Sequence, residues 1–208
     1  MRRGEFSIEE QAEIDEFLSG MSFGFLATTG EDGFPHITPL NYAYANGHVY
    51  FHGSYRGEKM KEIAAGKNVS FAVAKEFAII PSYYSDPAMA CPATAFFKSV
   101  HIRGEAELVK SLQEKAEALT ALMRKLQPEG GYALISPDDP AYLPELKAVS
   151  VVRITIRELT AKFKFGQNWE EQKRVDVMEK LCERNRPDDE ETAKMMRKYC
   201  PAHSDKNN

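Results

Sequence analysis

The chain has 208 residues, a length that suits one large domain with accessory elements better than two complete domains. Hydrophobic residues make up 43% of it and charged residues 28%, which excludes a disordered or collagen-like chain and predicts a buried core. The net charge of -4 lacks the positive excess that nucleic acid or an anionic membrane attracts, so we expect neither partner.

Signals of export and of covalent cross-linking are missing from the sequence. No run approaches about 18 consecutive apolar residues, and the first residues become acidic where a signal peptide would become apolar, so we expect a cytoplasmic protein. The 3 cysteines are widely spaced and include no CxxC pair. This spacing predicts free thiols rather than a disulfide framework or a zinc knuckle.

The chain begins with a predicted helix and continues as a β-meander. Ser7 and Glu10 fit a capping box, and apolar residues at helical spacing predict a helix over residues 8–19. Alternating apolar residues and Gly-containing turns then predict three strands, over residues 23–29, 34–44 and 48–52.

Helices then alternate singly with longer strands. The composition of residues 57–65 predicts a helix that Gly66 ends, and Ser111 with Glu114 forms a capping box at the start of another helix that ends before Pro128. Further strands are predicted over residues 69–74, 95–109, 149–155 and 159–165. Gly104, inside one of these strands, predicts a bulge or a close approach of another backbone.

Strands joined by short turns, with single helices between some of them, do not follow the alternation of βαβ units. We therefore predict a mainly β fold with accessory helices, in the form of a split antiparallel β-barrel, because closing the sheet removes exposed edges. The barrel domain is expected over residues 1–166. A helical extension is expected over residues 167–208, where charged residues predominate and apolar residues recur at helical spacing.

His52 is the first residue that suggests chemistry. It ends a predicted strand and precedes Gly53 and Ser54, where free backbone N–H groups can face a ligand. Arg56 and Lys59 flank the start of the next helix, whose unpaired N–H groups favour an anion such as phosphate. The alternatives are a structural histidine and a solvated basic face of that helix.

The segment Thr38-Pro39-Leu40-Asn41 is the second candidate. Pro39 cannot donate a hydrogen bond to a sheet, so backbone groups near it stay free, and the Thr38 hydroxyl and Asn41 amide add further polar atoms. Such a set can bind the polar edge of a ring. The alternative is an edge strand with a bulge.

Other common sites lack their motifs. The sequence contains no GxGxxG, P-loop or GxSxG pattern, so neither a Rossmann fold nor an α/β-hydrolase is predicted. Cys91, His101 and His52 do not follow the spacing of metal ligands, and we expect no metal site.

Several segments taken together form a pattern typical of one family. They lie at residues 32–42, 50–53, 68–73 and 98–106, together with Gly57 and Lys59. In this order they resemble the FMN-binding split barrels of pyridoxamine 5'-phosphate oxidase-like proteins, and among these the nitroimidazole-resistance (Nim-type) flavoproteins. The resemblance spans residues 23–166.

The resemblance implies an FMN site. The strand-to-helix segment of this family holds the FMN phosphate, which implies that Ser54, Arg56 and Lys59 bind it here and that Gly53 adjoins it. The edge of the isoalloxazine ring would contact the segment Thr38-Pro39-Leu40-Asn41, with His52 beside the flavin.

The resemblance also implies a homodimer with each flavin between two subunits. Ser99 stands where the oxidases carry a glutamine that reaches the flavin of the partner subunit, so the chain departs from the family there. Lys162 lies near the end of the last barrel strand, where family members approach the partner's flavin.

One departure bears on the activity. The oxidases end in a segment with Trp and Arg that grips the substrate phosphate, whereas residues 162–169 of this chain lead into a helix. The resemblance therefore implies an FMN-dependent oxidoreductase that reduces small nitroaromatic, 5-nitroimidazole-like or related flat acceptors, with His52 as its catalytic residue. The alternatives are a pyridoxamine-phosphate-oxidase-like protein and a non-catalytic flavin- or haem-binding module.

Overall fold

A computed structural model of the protein describes residues 3–201. Its strands are β1 (Ser7–Ile8), β2 (Phe23–Thr29), β3 (Pro35–Asn41), β4 (Ala43–Ala45), β5 (His48–Gly53), β6 (Asn68–Ile80), β7 (Thr94–Leu108) and β8 (Ser150–Lys164). Its helices are α1 (Gln11–Gly20), α2 (Glu58–Ala65), α3 (Leu112–Leu126), α4 (Tyr142–Ala148), α5 (Glu171–Arg184) and α6 (Asp189–Lys198). None of the helices in this part of the chain has the length and apolar character that crossing a membrane requires.

The strands form one antiparallel sheet. Their order is β3-β2-β6-β7-β8-β5-β4, and β1 pairs with β8 beside this path. The β2-β3 hairpin runs in register from Phe23 opposite Asn41 to Thr29 opposite Pro35. The predicted mainly β architecture is thereby confirmed.

The residues group into two compact units. Of the described residues, one unit comprises residues 10–73 and 100–159, and the other comprises residues 3–9, 74–99 and 160–201. Strands β6, β7 and β8 contribute residues to both units. The predicted division at residue 166 stays a prediction, and residues 202–208 of the predicted extension lie outside the described residues.

Each unit buries its own apolar side chains. In the unit with residues 10–73 and 100–159, the fully buried side chains include Leu18, Leu26, Tyr42, Phe51, Phe71 and Ile102. In the other unit they include Phe6, Ile80, Phe96, Phe163 and Phe165, joined by Val177 and Leu181 of α5.

One prediction of local structure is wrong at the start of the chain, and one helix in its middle has no counterpart in the predictions. Helix α1 begins at Gln11 rather than at residue 8, because Ser7 and Ile8 pair with β8 as a short strand. The capping box at Ser7 therefore does not form. Helix α4 was not expected from the sequence. By contrast, the hydroxyl of Ser111 accepts a hydrogen bond from the Glu114 N–H at 3.2 Å, so the predicted cap of α3 is confirmed.

Candidate functional site

The predicted phosphate-binding residues lie where β5 ends and α2 begins. Ser54 and Arg56 occupy the turn between the two elements, and Gly57 precedes the first turn of α2. The Ser54 hydroxyl accepts a hydrogen bond from the Arg56 N–H (3.4 Å), and the Ser54 carbonyl accepts one from the Gly57 N–H (3.0 Å). This turn places Ser54 at the N-terminal end of the helix.

Lys59 folds over the end of β5. A Cβ atom on Gly53 would lie 3.3 Å from Cε and 3.4 Å from Nζ of Lys59, so the lysine ammonium group lies against the glycine. Within residues 3–201, the backbone N–H groups of Glu58 and Lys59 have no backbone acceptor. Free N–H groups at a helix N-terminus, a hydroxyl and the cations of Arg56 and Lys59 together fit a phosphate.

The segment Thr38-Pro39-Leu40-Asn41 forms the second half of β3, which is an end strand of the sheet. Its side chains alternate between the two faces, with Thr38 and Leu40 half-buried and Pro39 and Asn41 exposed. The Asn41 amide donates a hydrogen bond to the Ser22 carbonyl at 3.0 Å. Because of this alternation, only two of the four side chains can face a given ligand from the same side.

His52 is the residue of β5 next to Gly53, and it is exposed. It stands opposite Val151 of β8. A shallow recess beside it is lined by apolar side chains that include Leu119 and Leu122 of α3. His52 is therefore accessible, precedes the predicted phosphate-binding residues in sequence and lies beside an apolar surface.

Ser99 and Lys162 belong to the other compact unit. Ser99 is half-buried in β7. The Lys162 ammonium group lies over the rings of Phe6 (5.6 Å) and Phe97 (5.4 Å). The unit that contains Ser54, Arg56 and Lys59 therefore does not contain these two predicted site residues.

An open cleft of about 850 Å³ adjoins α2. Of the predicted site residues, only Arg56 lines it. Its charged and titratable lining residues are Glu31, Asp32, His36, Arg56, Glu58, Lys61 and Glu62.

A hydrogen-bond network that we did not predict lies in this cleft. The Glu62 carboxylate is buried, with 6% of its side chain exposed. Its Oε1 lies 2.5 Å from Nδ1 of His36, and its Oε2 accepts a hydrogen bond from the buried Thr28 hydroxyl, also at 2.5 Å. The network joins the β2-β3 hairpin to α2, because Thr28 and His36 are cross-strand neighbours and Glu62 comes from the helix.

The carboxylates change the acid–base behaviour of His36. The hydrogen bond to Glu62, together with the negative charges of Glu62, Asp32 and Glu58, raises the pKa of His36 above its usual value. Partial burial opposes this effect. His36 therefore keeps a proton to higher pH than a free imidazole.

The sequence contains signals for two parts of this network, the hairpin register and the shared helix face of Glu58 and Glu62. The turn at residues 30–33 fixes the hairpin register and so places Thr28 opposite His36. Glu58 and Glu62 stand one helical turn apart in α2 and therefore share a face of it. No local signal shows that this face of α2 meets the hairpin, and for this reason the network could not be predicted.

With this geometry established, comparison with known proteins identifies the family. The family model described as pyridoxamine 5'-phosphate oxidase matches residues 10–163. The chain belongs to this family. The predicted resemblance is thus confirmed, and the eight-strand antiparallel sheet with its helices is the split-barrel fold of the family.

Relatives of the pyridoxamine 5'-phosphate oxidase family have diverse descriptions. The chain is 27% identical over 198 residues to the protease synthase and sporulation protein PAI 2 of Bacillus subtilis. The aligned region covers 92% of this chain and 93% of that relative. A candidate 5-nitroimidazole antibiotic resistance protein of Bacteroides thetaiotaomicron has a similar structure, with a TM-score of 0.62 and 22% identity over 75% of this chain and 85% of the other.

A flavocytochrome of Azotobacter vinelandii also has a similar structure, with a TM-score of 0.65 and 22% identity over 82% of this chain and 75% of the other. An FAD- and haem-binding protein of Mycobacterium smegmatis follows with a TM-score of 0.63 and 16% identity, over 82% of this chain and 78% of the other. At these identities the likeness shows the fold. Proteins of this fold therefore include flavin binders.

Proposed function

We propose that this protein is an FMN-dependent oxidoreductase that reduces nitroaromatic or related flat acceptors. The observation that carries the proposal is the group of donors at the start of α2, in a chain of the pyridoxamine 5'-phosphate oxidase family. Ser54, Arg56 and Lys59 present a hydroxyl and two cations there, beside free helix N–H groups. A phosphate monoester with a charge of about -1.5 to -2 is the anion that these groups would neutralise.

The choice of FMN over FAD rests on the terminal phosphate. FMN ends in a phosphate monoester, whereas the same phosphate in FAD continues into a second nucleotide. A site built from Lys59, Ser54 and the α2 N-terminus recognises the monoester more strongly, because both of its charges can be paired. Because the similar Mycobacterium smegmatis protein is described as binding FAD, the affinities of this chain for FMN and for FAD need to be compared directly.

A bound flavin would supply the electron transfer, and the residues of this chain would position it and handle protons. Thr38 and Leu40 share one face of β3 and would offer a hydroxyl and an apolar surface to the ring. His52 lies next to the phosphate segment, and its imidazole would donate a proton to the acceptor oxygen.

Anaerobic stopped-flow measurement tests this activity. The protein is loaded with FMN, reduced with dithionite and mixed with a 5-nitroimidazole, and reoxidation of the flavin is followed by its visible absorbance. We expect faster reoxidation than for free reduced FMN at the same concentration. Equal rates for bound and free flavin would contradict the proposed activity.

A flavin- or haem-binding module without turnover is the second candidate. It is favoured by the structural similarity to a flavocytochrome and to an FAD- and haem-binding protein. Titration with haemin distinguishes the two candidates. Saturable binding with a shifted Soret band, together with no acceleration of flavin reoxidation, would support the module over the enzyme.

We further propose that the protein is a homodimer. The outer face of the β2-β3 hairpin exposes Phe23 (46%), Phe25 (45%) and Ile37 (67%). Phe25 stands opposite Pro39, which extends the same apolar face. A second copy would cover this face, and Ser99 and Lys162 are the residues proposed to approach the flavin of the partner subunit.

A further inference from the structure

The His36 cluster in the cleft beside α2 has the composition of a metal site. Nδ1 of His36 lies 2.5 Å from Oε1 of Glu62 and 3.9 Å from Oε1 of Glu58. These three ligand atoms all lie within 4.8 Å of one another. We propose that His36, Glu58 and Glu62 bind a divalent transition-metal ion.

The spacing suits an ion of this class. Nitrogen and carboxylate oxygen ligands lie about 2.0–2.2 Å from Zn²⁺, so two ligands of one ion are separated by roughly 3–4 Å. Glu58 is the exposed member, with 78% of its side chain accessible, and its Oε1 already lies 3.9 Å from Nδ1 of His36. Glu62 and His36 need only separate slightly to admit the ion.

Groups behind the ligands hold them in the orientation that a metal requires. The Thr28 hydroxyl donates to Oε2 of Glu62 and leaves Oε1 directed towards His36. On the other side of the imidazole, Nε2 lies 3.6 Å from Oδ1 of Asp32, which is an ion-pair distance and too long for a hydrogen bond. The negative charge of Asp32 favours the proton on Nε2, and a small approach of the two groups would give the carboxylate–histidine pairing that leaves Nδ1 free to coordinate a metal.

Gly30 supports the same interpretation by making room for the imidazole. A Cβ atom at this position would lie 2.6 Å from Oδ1 of Asp32, 2.7 Å from Cε1 of His36 and 2.8 Å from Nε2 of His36. Gly30 does not have a positive φ angle, so its backbone conformation does not require glycine. An alanine here would instead displace the ring of His36 and the carboxylate of Asp32 from their present positions.

The charges of the cluster favour a cation. Three carboxylates, from Asp32, Glu58 and Glu62, surround one imidazole. Arg56 and Lys61 also line the cleft, but neither comes within ion-pair distance of these carboxylates in the described residues. Binding of the ion would displace the proton between His36 and Glu62, and water from the open cleft would complete the coordination.

Zn²⁺ is the probe of choice because an imidazole with carboxylates suits it, whereas Mg²⁺ prefers ligand sets made only of oxygen. The full chain is freed of any affinity tag, treated with EDTA and desalted, and titrated calorimetrically with Zn²⁺ and, separately, with Mg²⁺. We expect one saturable Zn²⁺ site per chain and weaker binding of Mg²⁺. Co²⁺ is added to a separate sample of the metal-free protein as a spectroscopic probe. We expect visible absorption bands from its coordination by His36.

Variants assign the site. His36→Gln and Glu62→Gln are each expected to weaken Zn²⁺ binding by more than about 100-fold, and Asp32→Asn, which changes an outer partner, by about 10–100-fold. Glu31→Gln is the matched control, because Glu31 is an exposed carboxylate of the same cleft outside the cluster. We expect it to bind Zn²⁺ as the parent does. Circular dichroism of each metal-free variant verifies its fold.

Two results would overturn the proposal. One is the lack of saturable Zn²⁺ binding by the folded parent, and the other is binding by folded His36→Gln with the affinity of the parent. Gly30→Ala gives an independent check, because its Cβ atom would displace the side chains of His36 and Asp32. We expect this variant to lose the Co²⁺ bands. Flavin is left out of all these measurements, so their outcome does not depend on the proposed oxidoreductase activity.

Discussion

At the scale of single residues, the site proposed for the flavin phosphate depends on a few polar contacts. Lys59 is half-buried against Gly53, whereas Arg56 and Ser54 are exposed in the turn before α2. Solvent screens the attraction between an ammonium group and a phosphate less when the ammonium group is partly buried than when it is exposed. Lys59 is therefore expected to contribute more to the binding of the phosphate than Arg56.

Lys59→Ala tests this assignment. The substitution removes one charge-assisted contact, so we expect FMN binding to weaken by about 1.5–3 kcal/mol, measured by quenching of flavin fluorescence. Lys67→Ala, at an exposed lysine just beyond α2, is the matched control and is expected to bind FMN as the parent does. An unchanged affinity in Lys59→Ala would remove Lys59 from the phosphate site.

His52→Gln separates proton donation from positioning. Glutamine keeps a hydrogen-bonding group but cannot act as an acid, and a well-placed general acid contributes about 100- to 10,000-fold. We expect the reduced, FMN-loaded variant to be oxidised by a 5-nitroimidazole more slowly than the parent. If FMN stays bound and the rate matches that of the parent, His52 only positions the cofactor.

At the scale of secondary-structure elements, the two C-terminal helices are joined by a buried ion pair. Asp189 at the start of α6 has 1% of its side chain exposed, and it accepts hydrogen bonds from Arg184 of α5 (2.5 and 2.9 Å) and from the Arg186 N–H (2.8 Å). The hydrogen bond from Arg184 and its charge lower the pKa of Asp189, against desolvation. The pair thus fixes the turn between the helices.

Asp189→Asn is expected to lower the free energy of unfolding by about 2–3 kcal/mol at neutral pH, because it leaves Arg184 partly buried without its partner. Because the pKa of Asp189 is lower in the folded than in the unfolded state, its ionised carboxylate stabilises the folded protein at any pH above the unfolded-state pKa. This stabilisation is lost as the pH falls through the folded-state pKa. Urea unfolding at several pH values measures both effects. The difference between parent and variant should therefore shrink in acid.

Glu190→Gln is the matched control on the same helix. Its ion pair with Lys194 is exposed, with 79% and 62% of the two side chains accessible, so little change in stability is expected. A loss of stability in Asp189→Asn no larger than in this control, at every pH, would show that the Asp189–Arg184 pair does not stabilise the helices.

The elements show what a sequence can and cannot predict. Residues 112–126 follow a local capping box and an apolar stripe, and α3 has these bounds. Gly104 was predicted to allow a close approach, and a Cβ there would overlap with the Thr155 carbonyl oxygen. In contrast, the pairing of Ser7 with Lys162 depends on a partner far along the chain, and no local pattern reports it.

The same physical distinction applies to the candidate site. The proximity of Ser54 and Lys59 could be predicted because a strand end and a helix start adjoin in sequence. Their role in binding a phosphate, which the family resemblance implies, stays a prediction. The contact of Glu62 with His36 joins a helix to a hairpin, and it depends on packing that the sequence does not encode locally. The position of the turn between β5 and α2 is therefore encoded locally in the sequence, whereas the cleft and its network depend on tertiary packing.

At the scale of the whole molecule, the outer face of the β2-β3 hairpin leads to the expectation of a dimer. Phe25→Glu places a charge in the middle of this face, so we expect it to convert a dimer into a monomer in multi-angle light scattering. Phe34→Glu is the control, because Phe34 is 68% exposed in the turn and lies outside the face. A parent protein that is monomeric with its flavin fully bound would contradict the shared site.

The proposed function requires this chain to bind FMN through the segment that joins β5 to α2. Titration of flavin-free protein with FMN and with FAD, followed by flavin fluorescence and the visible spectrum, measures this binding. We predict saturable binding of one FMN per chain, with a lower dissociation constant for FMN than for FAD. Lack of saturable binding of either flavin, or tighter binding of FAD, would contradict the account.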